Sequence, residues 1–372
     1  MKLAYVCADR GISLLGHKGA SVHLRSLAAA LAARGNDVIV ACRTLEGPNR
    51  PPAAVTVRVM PESEDEHARW IRELLRESAA GAVLERYSLS SGATGAAARA
   101  AGLPFVLEVN APLVEEAARY RGLGDVQTWR AREQVALASA DAVIAVSAGV
   151  RDYVRSTGVS AARVFVVHNG VDVGAFQTAA GSPAAQRSGK ENEVVIGFAG
   201  SLKPWHGVDV LLRAFAQVPG SPRLLVVGEG PMRADLEALA SSLDLASRTS
   251  FTGAVPHAEM PRVLATMDLG VAPYIAQDGF YFSPLKVAEY LAAGLPVVAS
   301  DQGDLPEIVG DAGLLVPPDD VAALAAALAR LCRDGGLRRT LSAAARARAG
   351  ALDWLQVAGK VEAVISSVRA PA

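Results

Sequence analysis

Cysteine is scarce in this chain: Cys7, Cys42 and Cys332 are the only three in 372 residues, far apart in sequence and without metal-ligand spacing. They read as buried thiols of a reducing compartment. An excess of charge of one sign is lacking too, since 37 Lys and Arg against 38 Asp and Glu leave a formal net charge of −1. No global field therefore favours nucleic acid. Apolar runs approaching the roughly 18 residues of a membrane span are absent, because Arg, Glu or Gly interrupts the Ala-rich segments. The start, MKLAYVCADRG, has one lysine and a short apolar run that reads as a first strand rather than a signal peptide. These absences point to a cytoplasmic protein. Trp70 to Leu75 has a pattern suited to peripheral contact with a membrane surface, or more simply to an ordinary core-facing helix.

What is present is concentrated in Phe280 to Ser300, FYFSPLKVAEYLAAGLPVVAS. Ser283 reads as an N-cap, Pro284 as a first-turn proline, Gly294 as the stop and Pro296 as the opening of a β-branched strand. A helix over about 284–293 and then a strand are predicted. Lys286 stands third in that helix, where a cation opposes the positive end of the macrodipole at a cost of about a few tenths of a kcal/mol. A bound anion removes that penalty. The amides of Leu285, Lys286 and Val287 are expected to donate to a phosphate, with Lys286 completing the charge balance. Glu289 falls on the same face, within reach of ligand hydroxyls. The plainer alternative is a solvated Lys286–Glu289 ion pair worth about 0.2 to 0.5 kcal/mol.

Elsewhere strand and helix patterns alternate, and 51% apolar with 20% charged residues supply enough material for two cores. Leu3 to Ala8 reads as a strand, followed by a loop with Gly11, Gly16 and Gly19 and a helix over Ala20 to Ala33. The loop lacks a GxGxxG and is a weak dinucleotide signal. Further strands are predicted at Val38 to Cys42, Val55 to Val59, Ala82 to Arg86, Phe105 to Val109, Ala142 to Val146 and Val164 to Val167. Such alternation implies a parallel sheet that binds ligands at its strand carboxyl ends. Those ends offer Arg86 and Tyr87, Glu108 and Asn110, Glu115 and Glu116, Ser147 and Arg151, and His168 to Asp172.

Phe176 to Glu193 has no hydrophobic period and reads as a linker. The alternation then restarts with strands at Val194 to Phe198, Leu224 to Val227, Ser250 to Thr252 and Leu269 to Ala272, and a helix over Glu259 to Met267. The predicted organisation is a first Rossmann-like domain over 1–175, a linker over 176–193, a second over 194–350, and a terminal helix over 351–372 that crosses back to the first.

The run SPLKxxEYxAxGxPVVAS resembles the signature of glycosyltransferase family 4, enzymes of the GT-B fold group. The resemblance implies an α/β architecture of two Rossmann-like domains facing across a cleft. It also implies that Glu289 holds a nucleotide ribose, and that Ser283, Pro284 and Leu285, with Lys286, hold the diphosphate. Where the family has an earlier glutamate this chain has Tyr281, a catalytic candidate by that position, and whether it takes over the donor-sugar contact of that glutamate is left open by the resemblance. HKGASVHL is similar to the family's GGxxxHx turn. Gly19 is then expected to approach the diphosphate or acceptor, and His23 is either catalytic or a packing and capping residue.

Asn110 occupies the place of a histidine in many members, so it is a sugar contact or a turn residue. GSLKPWHG is similar to GRxxxxKG, with Gly200 retained and Ser201 and His206 standing where the family has Arg and Lys. The cationic role then passes to Lys203, to a protonated His206, or to Lys286, while Trp205 and His206 are alternatively loop-packing residues. Gly228 and Gly230 suit close ligand approach or a tight turn. Val255 to His257 resembles the stretch whose backbone pairs with the base, and VVHNGVD resembles the family hinge.

The implied activity is retaining, metal-independent transfer from a nucleoside-diphosphate sugar, a co-substrate rather than a bound cofactor, to an acceptor hydroxyl. The acceptor is expected to be a sugar, aminocyclitol, glycan or lipid-linked molecule. No DxD-type metal site in a credible setting occurs, since Asp319 and Asp320 follow two prolines and Asp172 lies in the hinge motif. Leaving-group charge is expected to be stabilised by fixed amides and Lys286. Two alternatives are a sugar-nucleotide epimerase of the same architecture and a catalytically weak sugar-nucleotide-binding subunit.

Overall fold

The computed structural model describes residues 1–180 and 193–368. The chain divides into two compact units. The first is Met1–Gly170 with Tyr281–Ser283 and the stretch from Trp354 on; the second is Val171–Phe280 with Pro284–Asp353.

The first unit opens with β1 (Lys2–Cys7), α1 (Gly19–Ala33), β2 (Asp37–Cys42), β3 (Val55–Val59) and α2 (Glu64–Ser78). It continues with β4 (Ala82–Arg86), α3 (Ala93–Ala100), β5 (Phe105–Val109), α4 (Leu113–Tyr120) and α5 (Val126–Ser139). β6 (Ala142–Ala145), α6 (Ala148–Ser156) and β7 (Val164–Val166) follow. The strands are parallel in the order β3-β2-β1-β4-β5-β6-β7. A parallel sheet covered on both faces needs strands apolar on both sides, and Leu3 to Cys7 and Ala82 to Leu84 are wholly buried accordingly. In α2, Ile71, Leu74 and Leu75 are buried in this unit's core, so the apolar face within Trp70 to Leu75 is occupied there and not offered to a membrane.

The second unit holds α7 (Val173–Ala180), β8 (Val195–Ala199), α8 (Val208–Phe215), β9 (Arg223–Val227), α9 (Arg233–Ser242) and β10 (Thr249–Gly253). After these come α10 (Met260–Leu264), β11 (Leu269–Ala272), α11 (Leu285–Ala292), β12 (Val297–Ser300) and α12 (Leu305–Val309). β13 (Gly313–Val316), α13 (Val321–Arg333) and α14 (Gly335–Ala349) complete it. Its strands are parallel in the order β10-β9-β8-β11-β12-β13. The last helix, α15 (Trp354–Ser367), packs on α1 in the first unit, with Arg34 Nε donating to Glu362 Oε2 at 2.8 Å.

Two expectations are corrected. Phe176 to Ala180, read as linker, is the end of α7: Asp172 Oδ1 accepts from the Ala175 amide at 2.9 Å, and Phe176 is 1% exposed. The remainder of that stretch, 181–192, lies outside the described residues. The helix expected over Glu259 to Met267 is confined to Met260–Leu264, after a 3-10 turn over His257–Glu259. No helix among the described residues is long and apolar enough to cross a membrane.

Both sheets reverse strand order beside their first strand, between β1 and β4 and between β8 and β11. In open parallel sheets the crevice beyond the strand ends at such a reversal is where ligands bind.

Candidate functional site

In the second unit the reversal point is occupied by Lys286. Its Nζ is buried, has no hydrogen-bond partner, and lies 4.2 Å from the centre of the Phe198 ring on β8 and 5.0 Å from that of Tyr274 just after β11. Gly200, the first residue beyond β8, has φ +147°, and a Cβ there would stand 2.8 Å from Nζ. The ammonium therefore rests on two aromatic faces and a bare glycine. Burial lowers its pKa to about 7, against a smaller opposing pull from Glu289.

The solvated ion-pair alternative fails on geometry. Lys286 is 8% exposed and Glu289 9%, and Glu289 Oε1 accepts instead from His257 Nε2 at 3.0 Å. Tyr290 fastens α11 beneath this point, accepting from the Ala199 amide at 2.7 Å. Gly270 makes room for its ring, since a Cβ there would come within 2.5 Å of it.

The helix start differs from expectation. Pro284, not Ser283, is the N-cap of α11. The Ser283 hydroxyl accepts from the Asn169 amide at 3.0 Å and the Ser283 carbonyl from Asn169 Nδ2 at 2.6 Å, both within the first unit. The Val287 amide donates to the Pro284 carbonyl at 3.1 Å, so the amides left for an anion at this helix are those of Leu285 and Lys286.

The loop after β8 is folded onto the loop after β9. Gly200 N donates to Val227 O and Leu202 N to Glu229 O, each at 2.9 Å. A Cβ on Gly228, whose φ is +138°, would lie 1.9 Å from the Gly200 carbonyl oxygen, and one on Gly230 would lie 2.5 Å from the Leu202 carbonyl oxygen. These glycines are thus required by the contact of two backbones. His206 Nδ1 donates to the Ser201 carbonyl, and its ring meets Tyr274 edge-on at 5.3 Å. Burial, aided by the Lys286 charge, lowers its pKa to about 3, so the protonated His206 expected from sequence is not formed at neutral pH. Lys203 lies over the Trp205 ring at 5.8 Å, Ser201 is exposed, and Val255 is half-buried in the loop after β10.

The remaining candidates belong to the first unit. Gly19 is the exposed first residue of α1. His23 is 4% exposed, with Nε2 2.6 Å from Glu108 Oε1, Nδ1 2.7 Å from Asn169 Oδ1, and its ring edge-on to Trp354 at 5.2 Å. Both ring nitrogens are engaged, so His23 is a packed and bonded residue and not a free acid or base. Tyr281 donates its hydroxyl to Glu116, while its carbonyl accepts from Ser147 Oγ at 2.6 Å. Asn110 is different: neither its Oδ1 nor its Nδ2 has a partner.

Among the described residues no group of three His, Cys, Asp or Glu side chains is gathered as for a metal ion. Asp319 accepts from the Ala276 amide at 2.9 Å. Sequence reasoning missed the Phe198 and Tyr274 faces and the His257 contact. Their signal is positional, because each sits at a strand end or in the loop beyond one, and it becomes readable once the strand order is known.

Residues 17–174 match Glycosyltransferase Family 4 and residues 193–334 match Glycosyl transferases group 1. The chain is 34% identical over 204 residues to D-inositol 3-phosphate glycosyltransferase of Mycobacterium marinum, covering 52% of this chain and 42% of that protein. It is 31% identical over 207 residues to phosphatidyl-myo-inositol mannosyltransferase of Mycolicibacterium smegmatis, covering 54% of this chain and 51% of that protein. The chain spans about half the length of the curated relatives it matches.

Among solved structures it is similar to Anabaena Alr3699/HepE in complex with UDP, at TM-score 0.78, 21% identity and coverage of 99% and 100% of the two chains. It is also similar to sucrose-phosphate synthase from Thermosynechococcus elongatus, at TM-score 0.76, 22% identity and 99% of each chain. The two family matches fall one on each sheet-bearing half, and the paired parallel sheets are those of the GT-B fold: the chain belongs to glycosyltransferase family 4.

Proposed function

We propose that this protein is a retaining glycosyltransferase that moves a sugar from a nucleoside-diphosphate sugar to an acceptor hydroxyl. In this reading the second unit binds the nucleotide sugar and the first binds the acceptor, a sugar, aminocyclitol, glycan or lipid-linked molecule. The observation that carries it is Lys286, a buried ammonium without a partner at a helix start and a sheet reversal point. A buried charge of this kind is costly unless a ligand completes it. A diphosphate does so with the Leu285 and Lys286 amides, and its growing charge as the sugar leaves is stabilised by groups already in position. Glu289, steadied by His257, is suited to accept from ribose hydroxyls.

The name of the Anabaena neighbour, solved with UDP, and the transferase names of the relatives support this reading over the epimerase alternative. A weakly catalytic binding subunit is the second reading, favoured by a neutral His206 and by a Tyr281 hydroxyl already bonded to Glu116. The reaction is proposed to need no metal and to take place in the cytoplasm.

A thermal-shift series with UDP-, GDP- and TDP-sugars is expected to give one clear rise in melting temperature, because specific binding stabilises the folded state. The preferred sugar nucleotide, incubated with an acceptor panel, should then yield glycosylated product. No shift with any of them overturns the reading, and binding with no transfer across the panel favours the binding-subunit alternative. Turnover in EDTA should equal turnover without it; loss restored by magnesium refutes metal independence. Glu289→Ala should weaken nucleotide binding by roughly tenfold or more, as expected for a lost hydrogen bond to a charged group. An unchanged dissociation constant in calorimetry removes the ribose role.

A further inference from the structure

The reversal point of the first sheet also holds buried polar atoms that make no hydrogen bond. Arg86 ends β4 and is 8% exposed, yet its Nε and Nη1 have no hydrogen-bond partner. Asn110, two positions beyond Glu108, is in the same state at both side-chain atoms. Glu108 in turn is the residue across from Arg86 in the β4–β5 register, so Arg86 and Asn110 stand at adjacent strand ends.

The buried acceptors around Arg86 are already occupied. Glu108 is its nearest carboxylate across the sheet, and both oxygens are taken: Oε1 faces His23 Nε2 at 2.6 Å and Oε2 accepts from the Tyr5 hydroxyl at 2.8 Å. Asn169 Nδ2 donates to the Ser283 carbonyl at 2.6 Å, which leaves Asn169 Oδ1 pointed at His23 Nδ1 at 2.7 Å. Both His23 ring nitrogens are therefore engaged within this cluster and free for nothing else. Cys7 and Tyr5 are neutral, because burial pushes the thiol up to about 12 and the phenol well above its usual range. Glu85 is committed elsewhere, accepting from Ser91 Oγ at 3.0 Å, and the partly exposed Asp9 accepts from the Gly11 amide at 2.7 Å. Every carboxylate oxygen near the Arg86 strand end is thus engaged with another donor, and none hydrogen-bonds its Nε or Nη1.

A single anion placed at the strand ends would bond the idle nitrogens of Arg86 and Asn110. We propose that Arg86 and Asn110 form a subsite for an acidic group, a phosphate or carboxylate, carried by the acceptor. Arg86 supplies the charge, and Asn110 donates to the acid or to a neighbouring hydroxyl. The proposal rests on the first unit being the acceptor side, and it narrows the acceptor to an acidic one.

The test uses the full chain with Lys286→Met as background, which removes the unpaired cation of the second unit. Orthophosphate and acetate are titrated calorimetrically into Lys286→Met and into the double variant Arg86→Met/Lys286→Met. At least one of the two anions should bind the first protein, and its affinity should fall by about tenfold or more in the second, as for a lost charge-assisted contact. Binding of neither, or binding that survives Arg86→Met, overturns the proposal.

The melting temperature of unliganded Arg86→Met gives a readout that a merely structural arginine would not. It should rise above that of the unsubstituted protein, since a buried guanidinium with unsatisfied Nε and Nη1 has been replaced by an apolar chain of similar length. A fall, or failure to fold, overturns the proposal. Sugar-nucleotide binding by Arg86→Met should be unchanged, so failure of this subsite is distinguishable from failure of the donor assignment, which Lys286→Met tests by itself.

Discussion

Lys286→Met should lower kcat/KM for the sugar nucleotide by about 10²- to 10³-fold, the range expected when one preorganised charge-stabilising donor is removed, and should raise the melting temperature of the ligand-free protein. The two effects share a cause. With no partner for Nζ, the folded, empty protein holds an ammonium away from water, and methionine fills the same space against Phe198 and Tyr274 without that penalty.

The pH dependence follows in sign. The pKa of Lys286 is lowered from 10.5 to about 7 on folding, so between those values the unfolded chain binds the proton more tightly. Stability should therefore rise with pH across that window, and below it this group adds no slope because the buried-cation penalty is there in full. Lys286→Met should erase this component of the rise. Diphosphate binding runs the other way, because it needs the ammonium: affinity should decline as pH passes above about 7. Melting curves and UDP titrations of both proteins across this range check each point. Coincident stability profiles would remove the buried cation from the account.

Gly228→Ala carries the second large effect. Alanine there must adopt a φ of +138° and place its methyl carbon 1.9 Å from the Gly200 carbonyl oxygen. Strain of that kind costs about 1–3 kcal/mol by itself. The overlap must also push apart the two loops that shape the space around Lys286. A total loss above about 3 kcal/mol is expected, together with loss of nucleotide binding. Gly220 is the control, with φ +88° and its nearest neighbour 4.0 Å away, so Gly220→Ala carries the backbone strain and no overlap. Equal losses in urea denaturation of the two variants would show that the close approach of the loops carries no weight.

Much of this fold is readable in the chain. Val55–Val59, Ala82–Arg86, Phe105–Val109 and Leu269–Ala272 begin and end as predicted, and all but the first are buried runs that only a covered parallel sheet requires. The failures are cases where a distant group outcompetes a local signal. Ser283 has a good capping side chain, but Asn169, 114 residues away, takes its hydroxyl. Asp172 does cap a helix, although the composition beyond it reads as a linker.

His206 and Lys286 make the same point for charge. Sequence counts both as cations, but burial beside Phe198 and Tyr274 makes the first neutral and lowers the pKa of the second to about 7. Strand order was out of reach because parallel strands of similar composition carry no label of their neighbours. With it went the juxtaposition of Gly200 and Lys286, on which the site is built.

Tyr281–Ser283 reside with the first unit although Phe280 and Pro284, on either side, belong to the second. No contiguous stretch of the gene therefore encodes either unit whole. A fragment cut at 171–353 would carry Ser283 away from Asn169, and one ending at Gly170 would strand Asn169, His23 and Glu116 without the tripeptide and helix that complete their bonding. Dissection into separately expressed halves should thus yield poorly soluble pieces.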